Sequence, residues 1–488
     1  MTSPSEQSSE QSLDRSLATG IAWTAALRWV AQLVSWLATL YAARLLAPAD
    51  FGLVSMAMLA IGLARLGQEF GLDAILVQNR AIVGDTHARL AGFVILVGVA
   101  LTLAFVAIAA PVATFFGEPI VRMIIIGLAP LFIFDALQVV PYAELQRRLE
   151  FRRLAIVAFV QVATTAAALA VGVSTGLGLW AIVASKLAGE VAVTLLLLLW
   201  QPYRVRWPRE LARIAQPLVQ GWRVLASRIA WYGYSNADQA IIGKLLGKEA
   251  LGSYSFAQTF STLAQQEIGA VISRVVPGIF SEVQTDRAAL RRYFLLLTEL
   301  LTLFALPLAI GLAVTADLFV PLVLGDKWRD VIVPLRILCL YSAFLSAQTL
   351  VSHVLLWTGQ FRIQMWCSIL AGIVLPLALL AAAPHGIERV AWVWAAVFPI
   401  VNLPSIVFAS RTIGISTREW FAALAPAVVS CSAMAIAVLG LRRFEDAVSW
   451  SVLAASVALG AFVYAATLLL AFRRRLGALA GFARTLRN

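Results

Sequence analysis

The sequence is poor in charge and in cysteine, and both shortages exclude classes of protein. Charged residues make up 13% of the 488 residues, and hydrophobic residues make up 61%. A soluble domain averages about 25% charged residues, so most of this chain is predicted to contact lipid. Cys339, Cys367 and Cys431 stand singly inside apolar runs. They imply neither a disulfide framework nor a metal motif, and no cofactor is expected.

The sequence also lacks the features that a membrane glycosyltransferase, polymerase or ATP-driven pump would need. No loop is long enough to form a soluble domain with paired acids, and no Asp-x-Asp metal motif is present. A glycine-rich loop for nucleotide phosphates is absent as well. We therefore expect a protein that is not an enzyme.

Positive charge is spread along the chain. The formal net charge is +12, but the basic residues stand between apolar runs, which favours membrane orientation over nucleic-acid binding. Residues 1–16 are polar and lack a basic start, so we predict a disordered cytoplasmic tail there and a second, basic tail over 473–488. Arginine is concentrated in alternate loops. Because loops rich in arginine usually face the cytoplasm, this distribution predicts that both termini lie there.

About fourteen apolar runs are long enough to cross a bilayer, which takes about 20 residues. They cover 17–40, 51–70, 88–111, 119–141, 153–175, 178–200, 213–235, 251–276, 292–315, 331–356, 363–383, 388–409, 420–441 and 447–471. Because backbone amides in lipid must be paired within their own segment, these runs predict an all-α polytopic membrane protein with about 14 transmembrane helices.

The stretch Arg44 to Gly52, RLLAPADFG, lies between the first two runs and recurs 200 residues later as KLLGKEALG, residues 244–252. Flanking residues extend the repeat: Ala26, Arg28 and Ser35 match Ala226, Arg228 and Ser235, and Ser55 and Ala57 match Ser255 and Ala257. An even number of spans separates the copies, so they run parallel. We predict two six-helix lobes in parallel pseudo-repeat, 17–203 and 204–410, followed by a C-terminal helix pair over 411–472.

The two copies of this stretch differ in their turn residues. In the first copy, Pro48 and Asp50 suit a tight turn, and Asp50 is placed to cap the second span. The second copy has Lys248 and Ala250 at the matching positions. We therefore interpret the stretch as the turn of each lobe's first hairpin, and we expect function to lie in the flanking helices.

The chain resembles the polysaccharide transporter family in three features. They are RLLAPADFG after the first span, QRRLEFRRLA at residues 146–155 after the fourth, and the fourteen spans together. This family comprises O-antigen and exopolysaccharide flippases within the multidrug, oligosaccharidyl-lipid and polysaccharide exporter superfamily. The resemblance implies two lobes around a central cavity lined by spans 1, 2, 7 and 8. It further implies flipping of an undecaprenyl-diphosphate-linked oligosaccharide across the bacterial inner membrane during exopolysaccharide, capsule or O-antigen synthesis.

The same resemblance implies the partners. They are the polyprenyl-linked oligosaccharide, membrane lipids, an H⁺ or Na⁺ counter-ion and a polysaccharide polymerase or copolymerase. Two other functions within the superfamily stay open, namely a peptidoglycan-precursor flippase and an ion-coupled drug antiporter. The antiporter would need an acidic cavity with few arginines, whereas the spans of this chain are rich in arginine.

Four arginines in or near spans 1, 2 and 7 are predicted to bind the phosphates of the substrate. They are Arg28, Arg65, Arg223 and Arg228. In span 1, polar residues recur on one helical face, which in lipid must contact protein or water. Guanidinium groups stay charged and bind phosphate with two nitrogens. Hydrogen bonding between helices is the alternative interpretation of this polar face.

Carboxylates in the spans are candidates for coupling an ion gradient to transport, because a buried acid exchanges protons more readily near neutral pH. The predicted residues are Glu69, Asp73, Asp135 and Glu267. Glu69 lies one helical turn after Arg65, and Glu190 lies one turn after Lys186. Internal ion pairs at this spacing are the structural alternative.

Overall fold

In the computed structural model, every regular element among the described residues is a helix. The structure describes residues 27, 29–68, 85–148, 150–207, 225, 228–283, 286–445, 447–473 and 475. No strand occurs within these ranges. A helix pairs its backbone amides internally, as a segment surrounded by lipid requires. The predicted all-α class is confirmed.

The chain divides into two compact units between Asn236 and Ala237. The described helices of the first unit are α1 (29–45), α2 (Pro48–Gln68), α3 (Asp85–Phe116), α4 (Pro119–Leu128), α5 (Leu131–Arg147), α6 (Phe151–Ser174), α7 (Trp180–Trp200) and α8 (228–235). Tyr232 on α8 donates a hydrogen bond to the carbonyl of Leu59 on α2, at 3.0 Å. This bond ties α8 to the first unit. The lobe limits derived from the repeat remain predictions.

The second unit contains long helices interrupted by tighter and wider turns. Its described α-helices are α9 (Ala237–Leu245), α10 (Gly247–Val283), α11 (Arg287–Phe319), α12 (Ile332–Trp357), α13 (Phe361–Ala382), α14 (Ile387–Trp392), α15 (Phe398–Ile413), α16 (Thr417–Phe444) and α17 (Trp450–Ala471). A π-helical turn, Val393–Val397, joins α14 to α15. Such turns rotate the side chains that follow them and often occur at functional positions.

Eleven helical segments in the described ranges are long and apolar enough to span a bilayer. Each overlaps one predicted span, and together they account for spans 2–6 and 9–14. Span 1 lies partly, and span 7 mostly, outside the described residues. Span 8 falls within α10, which is helical over 37 residues but is not among the eleven. The chain is a multi-pass membrane protein, and the number fourteen stays a prediction.

The repeated stretch forms a turn, as its residues predicted. Pro48 begins α2, where its missing N–H costs no hydrogen bond. The Asp50 carboxylate accepts a hydrogen bond from the backbone N–H of Ala47, at 2.9 Å. Asp50 therefore lies inside the first turn of α2 and bonds back to the residue before the helix. We had predicted that Asp50 would itself be the capping residue before the helix.

Close helix packing in the first unit depends on small residues. At Gly98 on α3, a Cβ atom would lie 2.7 Å from the Phe132 carbonyl oxygen and 2.6 Å from the Ala136 Cβ on α5. Apolar helices in lipid gain little from burying apolar area against one another, so they associate where small residues allow close contact. Gly98 is therefore required for the packing of α3 against α5.

We predict that Gly98→Ala lowers the stability of the folded protein by about 1–3 kcal/mol, because the added methyl group overlaps backbone atoms. Thermal unfolding in detergent measures this effect. Gly440→Ala on α16 is the matched control, since a methyl group added there would have no atom of a neighbouring helix within 4 Å. Equal unfolding temperatures for the two variants would contradict the packing argument.

Candidate functional site

A polar cavity of about 280 Å³ lies within the first unit. Its polar lining side chains come from four helices: Ser35 and Thr39 on α1, Arg65 on α2, Gln161 and Thr165 on α6, and Lys186 and Glu190 on α7. Charged side chains inside membrane spans are costly and usually mark a functional site. The cavity therefore defines the candidate site.

Arg65 is the central cation of this site. Its Nε lies 3.0 Å from Asp135 Oδ2, and its Nη2 lies 3.2 Å from Asp135 Oδ1. The same Nη2 lies 3.4 Å from Glu190 Oε1. One guanidinium group thus pairs with carboxylates from α5 and α7 and joins three helices. The bidentate contact to Asp135 is the stronger of the two.

Neutral amides complete the coordination of Glu190, which is buried. Gln138 Nε2 donates to Glu190 Oε2 at 2.9 Å, and Gln161 Nε2 donates to Glu190 Oε1 at 3.1 Å. Gln138 follows Asp135 by three residues on α5, so the two side chains share one helical face. Both Glu190 oxygens are therefore hydrogen-bonded, and the carboxylate is stabilised by donors from three other helices.

Lys186 lines the cavity within electrostatic range of Arg65 and Glu190, but no hydrogen bond or ion pair joins it to a residue that the structure describes. The spacing on α7 suggested a pair with Glu190, one turn away. Instead, Arg65, Gln138 and Gln161 occupy the Glu190 oxygens. The ammonium group therefore adds a second cation, beside Arg65, to the lining of the cavity.

The structure brings together two of the eight predicted site residues, Arg65 and Asp135. Arg228 is exposed on α8, and Glu267 is half-buried on α10 of the second unit. The other four lie outside the described residues: Arg28, Arg223, Glu69 and Asp73. Gln138 and Gln161 were missed, although an amide inside an apolar span was a usable signal.

A second polar centre lies in the second unit around Asp238, whose side chain is fully buried. Asp238 Oδ2 accepts hydrogen bonds from Tyr254 Oη at 2.8 Å, Trp394 Nε1 at 2.9 Å and Gln258 Nε2 at 3.1 Å. Its Oδ1 accepts from the backbone N–H of Gln239 at 2.8 Å. All four donors are neutral. The carboxylate therefore holds α9, α10 and the π-helical turn together.

Comparison with known proteins gives a consistent set of relatives. The family model described as "Polysaccharide biosynthesis protein" matches residues 42–333. The chain is 28% identical over 276 residues to teichuronic acid biosynthesis protein TuaB of Bacillus subtilis (strain 168), covering 55% of this chain and 57% of TuaB. It is 24% identical over 327 residues to lipopolysaccharide biosynthesis protein WzxC of Escherichia coli (strain K12), covering 64% of each.

The match to a third relative is longer. Succinoglycan biosynthesis transport protein ExoT of Rhizobium meliloti (strain 1021) is 24% identical over 465 residues, which cover 91% of this chain and 90% of ExoT. The chain thus spans less than two thirds of TuaB and WzxC but most of ExoT.

Two solved structures share the fold. Lipid II flippase MurJ, in an inward closed conformation, superposes with a TM-score of 0.74 at 12% identity, covering 93% of this chain and 100% of MurJ. An inward-facing multidrug resistance transporter of the MATE family, in the MOP superfamily, superposes with a TM-score of 0.61 at 13% identity, covering 78% and 94%. At these identities the likeness concerns the fold.

We predict that Asp238→Asn destabilises the second unit by about 1–3 kcal/mol. The NH₂ group of asparagine cannot accept a hydrogen bond, so at least one of the donors around Asp238 would lose its acceptor. Trp394→Phe, which removes one donor, is expected to destabilise in the same direction. Trp392→Phe is the matched control, since Trp392, two residues earlier in the chain, is 47% exposed. Thermal unfolding in detergent measures all three, and unchanged stability of both Asp238→Asn and Trp394→Phe would contradict a stabilising role for this centre.

Proposed function

This chain belongs to the polysaccharide biosynthesis protein family, and from that premise we propose that it is a flippase. Its substrate is a polyprenyl-diphosphate-linked oligosaccharide, which it moves across the inner membrane during exopolysaccharide, capsule or O-antigen synthesis. The names of its relatives concern teichuronic acid, lipopolysaccharide and succinoglycan, and ExoT is named a transport protein. The match confirms the resemblance to polysaccharide transporters that the sequence suggested, and this family consists of transporters rather than enzymes.

The observation that carries the proposal is a polar cavity among membrane-spanning helices that is lined by the two cations Arg65 and Lys186. A lipid diphosphate carries about two negative charges, which need fixed positive partners where the dielectric constant is low. Lys186 offers an ammonium group without an ion pair among the described residues, and Arg65 offers a guanidinium group shared between two acids. Hydroxyl and amide groups on the same wall suit the hydroxyls of a sugar. We add Arg28, Arg223 and Arg228 as further phosphate contacts.

Coupling to an ion gradient follows from the way in which Arg65 is held. Protonation of Asp135 or Glu190 would weaken its hold on the guanidinium group, and a substrate phosphate would then replace the lost carboxylate. Binding of H⁺, or of Na⁺ in its place, at these acids is thereby coupled to binding of the anionic substrate at Arg65. Glu69, Asp73 and Glu267 are additional proposed coupling residues. Alternating access of two lobes would carry the bound headgroup across the membrane.

We place both termini in the cytoplasm, because arginine is concentrated in the loops on that side. A flippase in this orientation would collect the lipid-linked oligosaccharide where cytoplasmic synthesis ends and would deliver it to a polymerase or copolymerase outside. Two related functions also require transport across the membrane, namely flipping of a peptidoglycan precursor and ion-coupled drug export. A transport assay with competing substrates distinguishes these functions from the proposed one.

We predict that Lys186→Met reduces transport of the lipid-linked oligosaccharide at least tenfold, because it removes a cation from the cavity and leaves the Arg65 pairs intact. Proteoliposomes loaded with a fluorescent polyprenyl-diphosphate oligosaccharide measure the rate, with lipid II and a cationic drug as competing substrates. Arg362→Met is the control, since Arg362 is exposed at the start of α13. Normal transport by Lys186→Met, with normal amounts of the variant in the membrane, would contradict the proposal that Lys186 binds the substrate phosphate.

We also predict that Asp135→Asn uncouples transport from the ion gradient. The neutral amide no longer exchanges a proton, so the rate should lose its dependence on an imposed pH or Na⁺ gradient while downhill flipping persists. Glu144→Gln on the same helix is the control, because Glu144 pairs with Arg147 and Arg148 away from the cavity. If Asp135→Asn keeps the full gradient dependence, the proposed coupling role of Asp135 is wrong.

A further inference from the structure

A second cavity, of about 790 Å³, lies within the second unit. It runs between α11, α12, α15 and α16, and most of its lining is aliphatic or aromatic. Its volume falls in the range of roughly 300–1,000 Å³ that is typical of small-molecule sites. We call it the α15–α16 groove.

Small side chains create the floor of the groove, and large exposed side chains form its rim. Ala343 and Ala347 on α12 leave space between the helices. On the rim, Ile400 is 69% exposed, Leu403 is 55% exposed and Phe421 is 60% exposed. These residues belong to membrane-spanning segments, so the groove opens toward the hydrocarbon of the bilayer. An apolar chain from the membrane can enter it without crossing water.

One end of the groove is polar. Ser410 and Arg411 at the end of α15 and Thr417 at the start of α16 line it there, together with Trp420. Arg411 is exposed and pairs with no acid among the described residues. The buried indole Nε1 of Trp420 has no acceptor among them either. The groove thus combines a long apolar body with hydrogen-bond donors and one cation at the membrane surface.

The neighbouring acid does not neutralise this cation. Glu419 forms a capping box with Ser416 at the start of α16, and it also pairs with Arg291 on α11. Its carboxylate is therefore already satisfied by hydrogen bonds and by a different arginine. The charge of Arg411 remains available to an outside anion.

We propose that the α15–α16 groove binds an anionic glycerophospholipid, with an acyl chain in the apolar body and its phosphate at Arg411. Basic pockets between transmembrane helices bind the head groups of anionic lipids in this way. A single lining guanidinium matches one phosphate charge, whereas a lipid diphosphate brings about two. The occupant is accordingly a lipid of the surrounding membrane rather than the transported substrate, and the proposal does not depend on the flippase function.

The test is native mass spectrometry of the purified full chain with added phosphatidylglycerol or phosphatidylcholine of identical chains. The wild type should bind phosphatidylglycerol about fivefold more tightly than phosphatidylcholine, as expected for one basic residue near a lipid phosphate. Arg411→Gln should lose that preference and still fold, because Arg411 makes no ion pair within the described chain. Val407→Trp, which fills the groove from its rim, should weaken the binding of both lipids at least fivefold.

Two matched variants separate groove binding from general surface attraction. Arg362→Gln removes another exposed arginine, and Ile373→Trp adds an indole at a residue that is 57% exposed on α13, outside the groove. Both should bind like the wild type, which would support the proposal. It is overturned if Arg411→Gln keeps the preference, or if Arg362→Gln loses it equally. It is also overturned if undecaprenyl diphosphate at equal concentration displaces all of the phosphatidylglycerol, because the groove would then belong to the carrier lipid of the substrate.

Discussion

The guanidinium group of Arg65, shared between Asp135 and Glu190, is the interaction on which the first unit depends. An isolated charge inside a membrane span is expensive, and each member of this cluster removes part of that cost for the others. Gln138 and Gln161 supply the donors that Glu190 still lacks. Four helices are thereby held at one level, and the cavity exists because their polar side chains meet there.

The two units solve the problem of a buried carboxylate in different ways. In the first unit, Asp135 and Glu190 pair with the cation Arg65, and a cavity lies beside them. In the second unit, Asp238 is enclosed by four neutral donors and is fully buried. Releasing Asp238 would break several hydrogen bonds without any replacement. The first centre is therefore the one to which we assign exchange in our proposal, and the second is suited to holding helices in place.

Lipid contact shapes the remaining surface. The α15–α16 groove and the exposed rim side chains around it are ordinary in a bilayer, although they would be an aggregation hazard in water. The close approach at Gly98 and the groove above Ala347 show the two outcomes of small residues between helices. One brings helices into contact, and the other leaves room for a chain from the membrane.

Local features of the chain were predictable from the sequence because they depend on residues close together along it. The lengths of the apolar runs predicted eleven spans that the structure contains, and Pro48 with Asp50 predicted the turn before α2. The motifs after the first and fourth spans pointed to the family that the comparisons then supported. Arg65 and Asp135 were chosen as site residues because a charged side chain inside a membrane span is costly and usually has a function.

The sequence by itself determined the class of protein, the positions of most spans and the candidate charges. Only the tertiary structure decided which charges meet. The spacing along α7 favoured Lys186 with Glu190, but Glu190 instead contacts Arg65, 125 residues away, and Arg65 also contacts Asp135, 70 residues away. Helical periodicity orders neighbours on one helix, whereas contacts between helices depend on how their surfaces pack. That packing left Lys186 facing the cavity without a partner among the described residues.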